Sequence, residues 1–147
     1  MTFRSKIDAY FITFIVIAIL FIGIVTIAPL IIDKEITTST IVIMLSIFLF
    51  SVGFLLWSIF SIKYIFYEDY LLVKGGPFKS KIAYQEITKI APTKDIFTGY
   101  RLLTSKNGIE IFYKSATLGS VKISPEETER FMSEIRKRCP HIQISSL

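Results

Sequence analysis

Hydrophobic and polar positions divide this chain into two regimes that change near residues 62 and 63. From residue 9 to 32 the sequence has no charge and is filled with Ile, Phe, Leu and Val. A second uncharged run covers residues 41–62, and the polar stretch Asp33-Lys34-Glu35-Ile36-Thr37-Thr38-Ser39-Thr40 lies between. At ~1.5 Å per residue the first run spans about 36 Å as a helix, against a bilayer hydrocarbon core of about 30 Å. Lipid offers the backbone no hydrogen-bond partners, so an apolar run of this length is predicted as helix even where β-branched residues are dense. The pattern predicts a two-helix transmembrane hairpin. Pro29 falls in the last turn of the first helix, where it disturbs little. Gly23 and Gly53 permit close helix approach, although no G-x-x-x-G motif occurs.

Orientation follows from basic residues near the helix ends. Arg4 and Lys6 precede the first helix, and Lys63, Lys74, Lys79 and Lys81 follow the second; the connecting turn has Lys34. Both termini are therefore expected in the cytoplasm, in a multi-pass protein of the cell membrane. Tyr10, Trp57, Tyr64 and Tyr67 are candidate interfacial aromatics on that side. Two other architectures fit the pattern less well. A cleaved signal peptide would account for Arg4, Lys6 and the small-x-small Thr26-Ile27-Ala28, but the apolar run exceeds a usual h-region of about 7–15 residues and a second run follows it. Two core helices of a soluble protein would need more chain than residues 63–147 to cover them.

After residue 63 the pattern becomes short and alternating. Residues 63–67 and 70–74 read as strands joined at Glu68-Asp69. Gly75-Gly76-Pro77 is a turn, and residues 78–84 and 86–90 continue as strand with a bend near Gln85. Residues 92–99 read as loop and 100–104 as strand. Lys106-Asn107-Gly108 reads as a hairpin turn leading into a strand at 109–114, because Asn-Gly tolerates positive φ at both positions. A further strand is expected at 120–123. One helix follows, with Ser124 as N-cap, Pro125 at its first position and Glu127 completing a capping box. Glu126 and Glu129 suit its N-terminus; Arg136, Lys137 and Arg138 suit its C-terminus. Phe131, Met132, Ile135 and Cys139 form its apolar stripe. Pro140 ends it, and residues 141–147 add a short strand or a tail. The expected domains are thus 1–62, an N-terminal flank with two transmembrane helices at 9–32 and 41–62, and 63–147, a small cytoplasmic α+β domain. That domain is expected to be a bent antiparallel sheet or barrel of six or seven strands capped by one C-terminal helix.

Composition adds little chemistry. The chain has one cysteine and one histidine, so no intrachain disulfide and no zinc-type cluster is expected. Cys139 reads as an apolar filler. No nucleophile-elbow, zincin or phosphate-loop pattern occurs. Glu68-Asp69 and Glu126-Glu127 suit a solvated turn and a helix start. Glu86, Asp95 and Tyr100 would form a catalytic group only if the fold brought them together. The net charge of +5 lies in the C-terminal part, because Arg4, Lys6 and Lys34 are balanced by Asp8, Asp33 and Glu35. Lys63, Lys74, Lys79 and Lys81 are candidate contacts for anionic head groups, each contributing on the order of 1 kcal/mol near a charged surface. Ordinary solubilising charge explains the same lysines. The basic residues are too dispersed to suggest nucleic-acid binding.

The order of elements is similar to the pleckstrin-homology (PH) superfold, and the residues resemble the bacterial PH-like family known as YyaB-like. The resemblance rests on Tyr64-Ile65-Phe66 through Tyr70-Leu71-Leu72-Val73, Gly76-Pro77-Phe78, Ile82-Ala83-Tyr84-Gln85-Glu86-Ile87, Ile90-Ala91-Pro92-Thr93, Ile109-Glu110-Ile111-Phe112-Tyr113 and Ile123-Ser124-Pro125-Glu126. Phe3-Arg4-Ser5-Lys6-Ile7-Asp8 matches the segment that leads into the family's first membrane helix. The resemblance implies a PH-like domain behind a pair of membrane helices. Phosphoinositide-binding PH domains carry a basic cluster at the first strand turn, whereas Tyr67-Glu68-Asp69-Tyr70 is acidic, which speaks against inositol lipids. The expected function is a non-enzymatic binding or scaffold module without cofactor or metal, its partners being the lipid bilayer and an unknown protein or peptide. Self-immunity against a membrane-active peptide, which some membrane-tethered PH-like proteins provide, and an unrecognised enzyme are the alternatives.

Overall fold

A computed structural model describes every residue except Lys34, Ile96, Phe97, His141, Ser146 and Leu147. Strand β1 (Thr2–Arg4) precedes two long helices, α1 (Ala9–Ile32) and α2 (Thr38–Phe60). Then come β2 (Lys63–Phe66), β3 (Tyr70–Gly75), β4 (Phe78–Ala83), a 3-10 turn (Tyr84–Glu86), β5 (Ile87–Thr93), β6 (Tyr100–Leu102), β7 (Gly108–Tyr113), β8 (Ser120–Ile123), α3 (Thr128–Arg138) and β9 (Gln143–Ile144).

Each long helix starts at a side-chain cap. The Asp8 carboxylate accepts from Phe11 N at 2.9 Å and the Thr37 hydroxyl accepts from Thr40 N at 3.3 Å, satisfying amides that have no partner within the helix. Asp33 N–H closes α1 by donating to Pro29 O. The helices touch where Gly23 faces the Phe48 ring. Ile15 and Thr26 of α1 are buried, but most of the large apolar side chains of both helices stay open: Phe50 is 75% exposed and Ile31 78%. Hydroxyls within them turn back on their own backbone, Thr13 to Ala9 O, Thr26 to Ile22 O and Ser46 to Val42 O. Both helices are long and apolar enough to cross a membrane.

The second helix begins before the expected residue 41, at the Thr37 cap, and stops before residue 62. Ile62 leaves it to join the core of the domain. That core lies between two sheets, β1-β2-β3-β4 and β6-β8-β7-β5-β9. The first sheet is antiparallel throughout. Its inner residues Tyr64, Leu71, Val73 and Ile82 meet Ile90, Ile109, Ile111, Val121 and Ile123 of the second. Helix α3 adds Phe131, Met132 and Ile135, with Cys139 at its C-cap, so the predicted stripe is buried. Phe131 sits edge-on to Phe3, Tyr64 and Phe66.

Several expectations change. Among the described residues the strands form two sheets rather than one closed barrel, and they number more than six or seven. The N-terminal flank contains a strand, β1, which pairs with β2 because Phe3 needs the core and Thr2 and Arg4 do not. The sheets are not purely antiparallel: β6 runs parallel to β8, and β5 parallel to β9. Lys106-Asn107-Gly108 joins no hairpin, since β8 lies between β6 and β7. The amides before that turn are drawn elsewhere, Thr104 N to the Ser124 hydroxyl and Lys106 N to the Asp8 carboxylate. Gln85 does mark a bend, the 3-10 turn by which the chain leaves the first sheet for the second. β5 extends through Pro92, which lies beyond the reach of short β9, where a missing amide costs no ladder bond on that edge. Ser124 does not cap α3. The helix starts at Thr128, with Glu127 making no side-chain cap, because the Ser124 hydroxyl is already bonded to Thr104 N.

Candidate functional site

The register of the first sheet brings dispersed basic residues into line. Arg4 pairs with Lys63, Lys63 with Lys74, and Lys74 with Lys79. Directly paired residues point to the same face, and strand spacing makes the row about 14 Å long. The inner neighbours Phe3, Tyr64 and Val73 are buried, so the row lies on the outer face. None of its four cations forms an ion pair among the described residues. Lys81 falls in the next row, opposite Leu72, where its ammonium stands 4.1 Å from the Tyr70 ring centroid. Of the four sequence-predicted lysines, three stand together, the fourth is one row away, and Arg4 takes the remaining place. A sequence reading missed Arg4 because it is separated from Lys63 by both long helices. The alternation around Phe3 was the available signal.

Two open grooves flank the row. One, of about 560 Å³, lies between Trp57 and Phe60 at the end of α2 and Lys63, Lys74 and Lys79. The other, of about 720 Å³, borders Arg4, Lys6, Phe60, Lys63 and Glu126. The β3–β4 turn closes against α2: Gly76 has φ of +53°, its amide donates to the Ser61 hydroxyl, and a Cβ there would lie 3.0 Å from Ser58 Cα. A smaller groove of about 310 Å³ lies at the start of α1, between Tyr10, Phe11, Phe14, Arg101 and Lys106. Of the four candidate interfacial aromatics, Tyr10, Trp57 and Tyr67 are exposed, whereas Tyr64 is 0% exposed and serves the core instead.

The segment entering α1 is fastened to the domain by a polar cluster. The Tyr64 hydroxyl donates to Leu102 O at 2.6 Å, accepts from Ser124 N at 3.1 Å and lies 2.8 Å from the Ser5 hydroxyl. Burial pushes its phenol pKa up to about 12, against hydrogen bonds that pull it down. Thr104 donates to Lys6 O at 2.7 Å. Asp8 caps α1 and at the same time accepts from Ser105 Oγ at 3.0 Å and Lys106 N at 2.6 Å. Desolvation raises the Asp8 pKa, but the bonds from Lys106, Phe11 and Ser105 and the charge of Lys6 together hold it below its ordinary value.

The other candidate groups find separate partners. Glu86 accepts from the Ser115 hydroxyl. Asp95 pairs at 2.8 Å with Lys122, whose side chain is buried. Tyr100 stands on β6, its phenol raised by burial and by Tyr113. The fold does not bring these three into one hydrogen-bonded group. Cys139 is buried, its Sγ 3.6 Å from Tyr84 O and its thiol raised by burial, so it fills space as expected. Among the described residues no group of three or more His, Cys, Asp or Glu could hold a metal ion.

Comparison with known proteins places this geometry. Residues 62–139 match the family model described as "Bacterial PH domain". The chain is 30% identical over 144 residues to "Uncharacterized protein YyaB" of Bacillus subtilis (strain 168), covering 98% of this chain and 97% of that protein. No solved structure matches. The shared stretch with the Bacillus protein takes in both apolar helices as well as the sheets, and by both matches this chain belongs to the bacterial PH domain family.

Proposed function

We propose that the protein is a non-enzymatic, membrane-anchored PH-like module of the cell membrane, with both termini and the 63–147 domain on the cytoplasmic side. The carrying observation is how the helices join the sheet. β1 leads into α1 and α2 leads into β2, and β1 and β2 are hydrogen-bonded neighbours. Both helices therefore leave the domain at one end, next to the row of cations. A pair of apolar rods open to their surroundings on nearly every side is costly in water and at ease in lipid. Cations beside their ends suit the cytoplasmic side. Confinement there would raise the domain's effective concentration toward other membrane components. Its partner would be a protein or peptide taken at a sheet edge or loop.

The test uses cell membranes carrying the full-length protein. The protein should stay with the membranes in alkaline carbonate, and protease should reach residues 63–147 only in inverted vesicles. Release by carbonate would refute the anchor; digestion in right-side-out vesicles would refute the orientation.

A further inference from the structure

The outer face of the first sheet carries a charge pattern that folding disfavours. Like charges set directly opposite weaken a strand pair, and this sheet opposes them at three successive steps, from Arg4 through Lys63 and Lys74 to Lys79. The next row on the same face, Thr2, Ile65, Leu72 and Lys81, holds a single cation, and that one is engaged by Tyr70. Free charge is thus concentrated in the row beside the helix ends. Below it the groove wall turns apolar, with Trp57 and Phe60 on α2. A surface that is cationic at one level and aromatic at the next complements a molecule with a phosphate joined to hydrocarbon. A nucleic acid or a soluble acidic peptide would use the cations and leave the aromatic wall unused.

We infer that Arg4, Lys63, Lys74 and Lys79 form a binding site for the phosphate of anionic phospholipids in the leaflet beside the end of α2, with Trp57 and Phe60 against the first acyl carbons. This deepens the membrane-anchored reading and rests on it. The bound phosphates would offset the repulsion along the row and fix the tilt of the domain over the membrane.

Trp57 is the chain's one tryptophan, and it lines the groove. Full-length protein in neutral detergent is titrated with short-chain phosphatidylglycerol, short-chain phosphatidylcholine and inorganic phosphate, following tryptophan emission. Phosphatidylglycerol should give a saturable change and the other two should not. Each lysine removed should weaken binding about fivefold, so Lys74→Gln with Lys79→Gln should weaken it about twentyfold or more. Lys89→Gln with Lys114→Gln removes the same charge elsewhere and should leave binding unchanged. The row variant should melt at or above the wild-type temperature in neutral detergent, which separates lost binding from lost folding. Equal response to both lipids, equal loss in both double variants, or saturation by inorganic phosphate at the same concentration would each overturn the lipid site. Flotation with vesicles of phosphatidylcholine alone tests the anchor separately. A protein that floats without preferring the anionic lipid loses only this inference; one that fails to float loses both.

Discussion

Helices α1 and α3 are built from overlapping residue types and solve opposite problems. α3 is short and charged, and it buries one stripe: Phe131, Met132 and Ile135 are each no more than 3% exposed. α1 is apolar on all sides, with Ile15 and Thr26 its buried residues. An amphipathic helix draws its stability from a partner surface. An apolar rod with no such partner calls for a nonaqueous surrounding, and its hydroxyls already bond to its own carbonyls. The contrast shows that hydrophobicity is informative here through its distribution around the helix more than through its amount.

The largest expected effect breaks the buried side of this contrast. Phe131→Ala should cost the domain about 3–5 kcal/mol, seen as a lower denaturation midpoint by near-UV circular dichroism, while the protein still floats with vesicles. Phe21→Lys, at an exposed site in α1, should cost about 3 kcal/mol of membrane insertion and leave the fold of the domain unchanged. In a water-exposed helix the same change would be harmless, so an unaltered inserted fraction of α1, read by protease protection of the turn between the helices, would remove the lipid reading of α1.

Tyr64→Phe sharpens the boundary between the two regions. It deprives Ser124 N and the Ser5 hydroxyl of their shared partner and should destabilise by about 1–3 kcal/mol; an unchanged unfolding midpoint would show the cluster to be dispensable. Asp8→Ala should have the smallest effect, about 1 kcal/mol for the lost cap, with faster hydrogen exchange at Phe11 and Lys106, whose amides it accepts. Because the Asp8 pKa is lowered in the folded protein, its contribution is complete above the ordinary value of 3.8 and fades as pH falls through the lower folded value. Exchange at Lys106 should therefore rise at acid pH in the wild type and show no such extra rise in Asp8→Ala.

The hairpin, the alternating domain and the stripe of α3 were legible along the chain, because each is a local pattern with its own period. Glycine turns were legible for the same reason, as at Gly76. The features that emerge only in three dimensions involve residues far apart in sequence. β1 and the place of Arg4 depend on a pairing across both helices. The parallel β6–β8 pair depends on β7 already having β5 and β8 as neighbours. Asn107-Gly108 is a strong local turn signal, overruled when Asp8 takes the Lys106 amide and Ser124 the Thr104 amide. The candidate site shows the same division. Composition supplied the basic excess, but only strand register aligned Arg4, Lys63, Lys74 and Lys79 while placing Lys81 one row away, because register is set by which side chains the core must take.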